Sequence, residues 1–116
     1  MVNLDPRQPI TTKGVAYEKK TEFTVSGDAA PRSLDAFVVP ESEIFLNHQL
    51  SGPRTRLLGI KWSDPRLGRT YQQDTGAWMM QVGRGWVFYF MAGHRIEDLN
   101  LNPYAQILSN ALEFTP

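Results

Sequence analysis

The sequence predicts an α/β domain in which a sheet lies between covering layers. Two stretches carry that expectation. Residues 76–94, GAWMMQVGRGWVFYFMAGH, read as a β-hairpin (about 76–91) with apolar side chains on both faces. Residues 103–114 read as an amphipathic helix that can cover one of those faces. A hairpin with one wet face alternates apolar and polar side chains, and this one does not, so both faces require cover.

Length and composition bound the problem. A chain of 116 residues fits one small domain or part of a larger one. Twelve Lys and Arg cancel twelve Asp and Glu, so the composition carries no electrostatic footprint for nucleic acid or an anionic membrane surface. The absence of cysteine removes disulfides, thiolate metal sites and a thiol nucleophile together. Residues 1–14 lack the apolar core of a signal peptide, and the longest apolar run, Trp86–Ala92, is too short to span a bilayer. A complete chain of this kind would be cytoplasmic.

Taken in order, Pro6, Pro9 and Gly14 among polar residues make 1–14 an extended loop. Residues 21–25, TEFTV, are strand-forming, with Phe23 and Val25 on one face. Ser26-Gly27-Asp28 marks a turn. Leu34–Val39 is a short apolar segment closed by Pro40, and 40–45 is a turn leading into a short strand or a single helical turn. After the break at Gly52-Pro53, Thr55–Trp62 reads as a strand. Residues 63–76, with Asp64-Pro65, Gly68, Gly76 and a polar Gln72-Gln73-Asp74 run, read as a long loop of the kind that often carries function.

In the hairpin, Gly83-Arg84-Gly85 offers the positive-φ residues of a tight turn. One face then holds Trp78, Met80, Val82, Val87, Tyr89 and Met91, the other Ala77, Met79, Gln81, Trp86, Phe88 and Phe90. In the final helix Asn102 is a good N-cap and Pro103 suits the first position. Tyr104, Ile107, Leu108, Ala111 and Leu112 form one apolar stripe. With one strong helix for two faces, the expectation is that the chain is the C-terminal part of a larger layered domain, or that it forms a homo-oligomer over the uncovered face.

The stretch Ala77-Trp78, Gly83-Arg84-Gly85-Trp86-Val87-Phe88-Tyr89 and Gly93-His94, followed by Asn102-Pro103-Tyr104, resembles the C-terminal half of the ThuA-like (trehalose utilisation) family. Upstream, Gln8-Pro9-Ile10-Thr11 with Gly14 is similar to a His-Pro-Ile-Thr…Gly segment of that family, and Glu43 to the glutamate of an Asp-Glu-x-Tyr segment. Gln8, Ser42 and Phe45 depart from the pattern at the histidine, aspartate and tyrosine. The resemblance implies a flavodoxin-like, class I glutamine-amidotransferase-like three-layer domain, with the family's N-terminal half absent. It also implies a small-molecule carbohydrate, trehalose or a keto-sugar glycoside, as substrate. Without cysteine, the thiol chemistry of true amidotransferases is unavailable.

His94, at the end of the second hairpin strand, is the foremost site residue, and Glu43, with Glu41 as the alternative, is its prospective acid–base partner. The alternatives are a loop histidine bonded to backbone and a solvated turn glutamate. Gly93 would let the backbone approach a ligand closely. Trp78, Tyr89 and Trp86 could stack on a sugar, although strand positions of period two suit core packing better for all three. His48, His94 and Glu43 lack the spacing of a metal site, and no cofactor motif is present. The alternative function is a non-catalytic binding or assembly module that uses the apolar hairpin face.

Overall fold

A computed structural model describes residues 1–116. The strands are β1 (Val2–Asn3), β2 (Lys19–Phe23), β3 (Arg32–Ala36), β4 (Thr55–Asp64), β5 (Arg69–Val82) and β6 (Gly85–Phe90). The helices are α1 (Pro9–Thr12), α2 (Ile96–Leu99) and α3 (Asn102–Leu112). All six strands belong to one sheet of order β2-β3-β1-β4-β5-β6, and every pairing is antiparallel.

This overturns the expected three-layer α/β, flavodoxin-like and amidotransferase-like domain. Such folds rest on parallel strands, which need crossover connections usually made by helices. Here α1 and α2 are four residues each, and α3 is the one substantial helix. Both hairpin faces nevertheless have cover within the chain. On one face α3 and the residues after it pack on the sheet: Phe90 meets Tyr104, and Trp86 and Phe88 both meet Phe114 edge-on. On the other face the irregular segment 41–54 lies over the end that carries Trp78, Tyr89 and Met91, while Val82 and Val87 at the turn end stay exposed. The reading of 40–45 as a turn leading into a short strand or a single helical turn overlooked a layer that has no regular structure to announce it.

Two further expectations change. Residues 1–14 are not simply a loop, because Val2 pairs with both Ala36 and Gly59 and places β1 in the middle of the sheet. Two residues carry too short a pattern to signal a strand. Nor are 63–76 a long loop. The Asp64 carboxylate accepts hydrogen bonds from the Arg66 and Leu67 backbone N–H groups at 2.8 and 3.4 Å, and Gly68 turns at φ 61°. The turn is thereby confined to Pro65–Gly68, and the polar Thr70–Gln73 pairs with Ile60–Ser63.

Two cores result. Leu57, Leu58, Ala77 and Met79 of the sheet pack with Ile10, Phe37, Ala92, Tyr104, Ile107 and Ala111. Val2, Leu4, Phe23, Val25, Leu34 and Ala36 form the second core. Phe23 reaches across so closely that a Cβ added at Gly59 would lie 2.6 Å from its ring. That contact joins strands three places apart in the sheet and so requires the sheet to curl.

The curl is held by a seam of side chains. The outward backbone groups of residues 22, 24 and 26 have no strand beside them. Lys61 Nζ donates to the Glu22 carbonyl at 2.6 Å, and Thr24 N–H donates to Gln72 Oε1 at 3.0 Å. Ser26 N–H donates to Asp74 Oδ2 at 3.2 Å, and Arg56 Nη1 donates to the Ser26 carbonyl at 3.2 Å. Four side chains of β4 and β5 thus stand in for a missing ladder.

The hairpin turn is Gly83-Arg84, since Val82 pairs with Gly85. Gly83 has φ 59°, while Arg84 and Gly85 do not adopt positive φ. Positive φ is needed only at the first turn position, as in a type II′ hairpin. α3 begins one residue earlier than expected, with Leu101 as N-cap and no side-chain cap bond, so Asn102 is not the cap. Asn110, outside the apolar stripe, is nevertheless buried: its Nδ2 donates to the Ile10 and Lys13 carbonyls at 3.0 and 2.8 Å and ties α3 to α1.

Candidate functional site

The segment 41–54 crosses the hairpin face that carries Trp78, Tyr89 and Met91, and is anchored along its length. At its start three consecutive residues engage the loop after β6. Arg95 Nη1 donates to Glu41 Oε2 at 2.6 Å, Ser42 Oγ donates to Asp98 Oδ2 at 2.6 Å, and His94 Nδ1 lies 3.2 Å from Glu43 Oε2. Glu41 adopts φ 54°, a left-handed conformation costly for a residue with a Cβ, and Asn47 turns the chain again at φ 61°. Between these turns the Gln73 carboxamide accepts from Asn47 N–H at 3.0 Å and donates to the Phe45 carbonyl at 2.7 Å. Phe45 N–H points to Met91 Sδ at 3.3 Å.

Asp98 is the buried member of the first cluster, 1% exposed. Burial by itself pushes its carboxyl up. The Ser42 hydroxyl, the Arg95 and Gly93 backbone and the Arg95 charge outweigh burial and hold it below the usual carboxylate range. His94 and Glu43, by contrast, are each 57% exposed in their side chains and line neither the basin described below nor three further cavities. The two residues expected to pair do pair, on the surface. Gly93 has φ 141°, which suits glycine and turns the chain out of β6; it too lies outside those cavities.

Farther along, the same segment walls a basin of about 600 Å³ with the β4 and β5 strands. Its polar lining includes His48, Arg54, Arg56, Asp74 and Thr75, with Trp78 beside them. The floor lies where β5 bulges. Leu58 pairs with Ala77 and Ile60 with Gln73, so Asp74, Thr75 and Gly76 together oppose Gly59. A bulge re-aims side chains at a sheet surface, and here it accompanies the Asp74 and Thr75 positions on the basin wall. Gly76 is required within it, because a Cβ there would lie 3.0 Å from the Leu58 carbonyl oxygen and 2.9 Å from Ile60.

An aromatic row runs beneath the segment. Phe45 stacks on His48 with centroids 6.1 Å apart, His48 lies 6.1 Å from Tyr89, and Tyr89 stacks on Trp78 at 5.3 Å. The Arg54 guanidinium carbon is 4.6 Å from the Trp78 centroid. Trp78 therefore has Tyr89 and Arg54 as ring partners, an arrangement that favours its indole N–H over its ring face as a contact for a ligand. Tyr89 is a packing residue whose phenol pKa burial raises.

Four buried polar atoms around this basin lack a protein hydrogen-bond partner: His48 Nδ1, Arg54 Nε, Thr75 Oγ1 and Trp78 Nε1. Buried polar atoms are nearly always paired, and these four are exceptions; with essentially no accessible surface, they lie behind the basin wall and not on its open face. Sequence reading selected Trp78 for stacking and missed His48, Arg54 and Thr75 as members of a site. The glycine at 76 inside a strand was the available signal for the bulge. No group of three metal-ligating side chains is formed, and His48 packs on Phe45 and Tyr89.

The fold and site define a curled antiparallel sheet with a basin under an irregular strap. No family model matches the chain, nor does any curated protein or solved structure. None of these comparisons supports the ThuA-like resemblance read from residues 76–94, and the flavodoxin-like fold it implied is not the one found.

Proposed function

We propose that the domain binds a small carbohydrate in the basin between residues 48–54 and the β5 bulge. The observation that carries this reading is the mixed lining of the basin, in which Trp78 stands beside His48, Arg54, Arg56, Asp74 and Thr75. Sugars are recognised by closely set, partly rigid polar side chains beside aromatic surface, and the basin supplies an indole with arginine, aspartate, threonine and histidine. The experiment is a ¹H–¹⁵N NMR titration of the chain with neutral mono- and disaccharides, followed at the Trp78 indole N–H. A saturable shift of that resonance, lost in Trp78→Phe, is expected; an indole signal unmoved by every sugar overturns the reading.

A second reading rests on the His94–Glu43 contact at 3.2 Å. A carboxylate that orients an imidazole is the arrangement of a general base, and both groups face solvent where a glycoside could reach them. Hydrolysis of keto-sugar glycosides that is abolished in His94→Ala would establish it. Equal turnover by the variant would remove it.

A further inference from the structure

We propose that β6 pairs with β6 of a second copy, so that two molecules share one antiparallel sheet about a two-fold axis at Phe88. β6 ends the sheet, with β5 on one side and no strand on the other. In an antiparallel ladder, successive residues bond alternately to one neighbour and the other. Met91 N–H donates to the Gly76 carbonyl at 2.9 Å, and Val82 pairs with Gly85 across the two-residue turn. Residues 85, 87, 89 and 91 therefore face β5. Trp86, Phe88 and Phe90 turn their N–H and carbonyl groups outward, where no backbone or side-chain group bonds to them. Exposed edges are usually blunted by charge, proline or a bulge. β2, at the opposite edge, reads KKTEF. β6 reads GWVFYF, pairs with β5 without a register shift, and belongs to a run, Gly85–Gly93, that holds no charged residue.

The strand is its own complement, which points to a second copy as the partner. Outward residues must lie opposite outward residues, and one antiparallel register of β6 on itself uses all three. It sets Phe88 against Phe88, and Trp86 of each copy against Phe90 of the other. Their side chains share the face that carries Phe114 and Tyr104, and all three remain half-buried, so ring surface is left for aromatic cross-strand pairs. On the opposite face Val87, 43% exposed, falls opposite Tyr89 of the other copy. Each molecule contributes the same patch, as a two-fold contact requires. None of these residues lines the basin, so the pairing is independent of the carbohydrate reading.

The test is amide hydrogen exchange of the intact chain, read by NMR over a dilution series, with the mass followed by light scattering across the same range. The mass is expected to rise with concentration to twice that of the chain. The Trp86, Phe88 and Phe90 amides should gain protection in step with it, whereas those of Val87 and Tyr89, bonded to β5 in either state, are protected at every concentration. Val87→Lys places a charge in the seam at a position that is exposed in the single chain. It should lose the doubled mass, with near-UV circular dichroism confirming that the variant is folded. A single-chain mass at NMR concentrations overturns the proposal, and so does a folded Val87→Lys that keeps the doubled mass. A dimer whose outward β6 amides exchange as fast as in the dilute chain also overturns it, because the contact then lies elsewhere. If Val87→Lys fails to fold, the exchange pattern of the unaltered chain decides alone.

Discussion

His94 Nδ1 and Glu43 Oε2 lie 3.2 Å apart, joining the end of the hairpin to the start of the strap that crosses it. They are flanked by Arg95–Glu41 and by Asp98–Ser42, so three successive residues of one segment grip one short loop. Their exposures differ greatly, and so do the expected effects of breaking each link.

Replacing His94 with alanine should cost about 0–1 kcal/mol of stability, because an exposed pair is solvated and screened in the native state. Urea denaturation of His94→Ala and Glu43→Gln checks this. A loss of several kcal/mol in either would show that the contact supports the strap far more than its exposure allows.

Asp98→Asn should cost more, roughly 1–3 kcal/mol, because Ser42 and the Arg95 N–H lose a charged acceptor in a buried place. The pH dependence follows from the lowered carboxyl. Its stabilisation is fully present above the ordinary value of 3.8 and is lost as the pH falls from there through the lower folded value. Urea midpoints measured from neutral to strongly acidic pH should fall less steeply at the acid end in Asp98→Asn than in the parent.

Asn110→Ala should destabilise the chain by about 1–3 kcal/mol, since the Ile10 and Lys13 carbonyls lose their donor where α1 meets α3. Thermal unfolding gives the value. Asn110→Asp should do no better, because a carboxylate cannot donate to those carbonyls.

The glycines of the hairpin should separate by position. Gly76→Ala forces a Cβ to 3.0 Å from the Leu58 carbonyl oxygen and should cost about 1–3 kcal/mol. At Gly85 the nearest atom to an added Cβ is 3.8 Å away and φ is not positive, so Gly85→Ala should change stability by about 0.5 kcal/mol or less. Paired urea melts of the two variants decide it.

What the sequence made legible follows from periodicity. The two hairpin faces and the α3 stripe could be read because apolar side chains recur at the strand and helix repeats. The assignment of layers failed at the second hairpin face. Its cover is held by Gln73, by Glu41 and by Ser42 through side-chain bonds, and such bonds leave no periodic trace. Gln72, Gln73 and Asp74 were read as loop because they are polar. They are strand residues that alternate in the backbone groups they serve: Gln72 and Asp74 close the seam with residues 24 and 26, and Gln73 holds the strap. The His94–Glu43 contact was legible through chemical type, whereas the basin depends on a bulge register that only the paired strands reveal.

The side-chain seam has a consequence for how copies of this molecule can meet. A curled open sheet ordinarily exposes two strand edges, and each can template growth by a further strand. Along β2 and the residues just after it, the Glu22 carbonyl, the Thr24 N–H and both backbone groups of Ser26 are already occupied, whereas β6 forms the opposite edge of the sheet. Side chains that occupy part of that edge hinder the addition of a strand there, so the same four residues that hold the curl also disfavour edge-to-edge growth through β2.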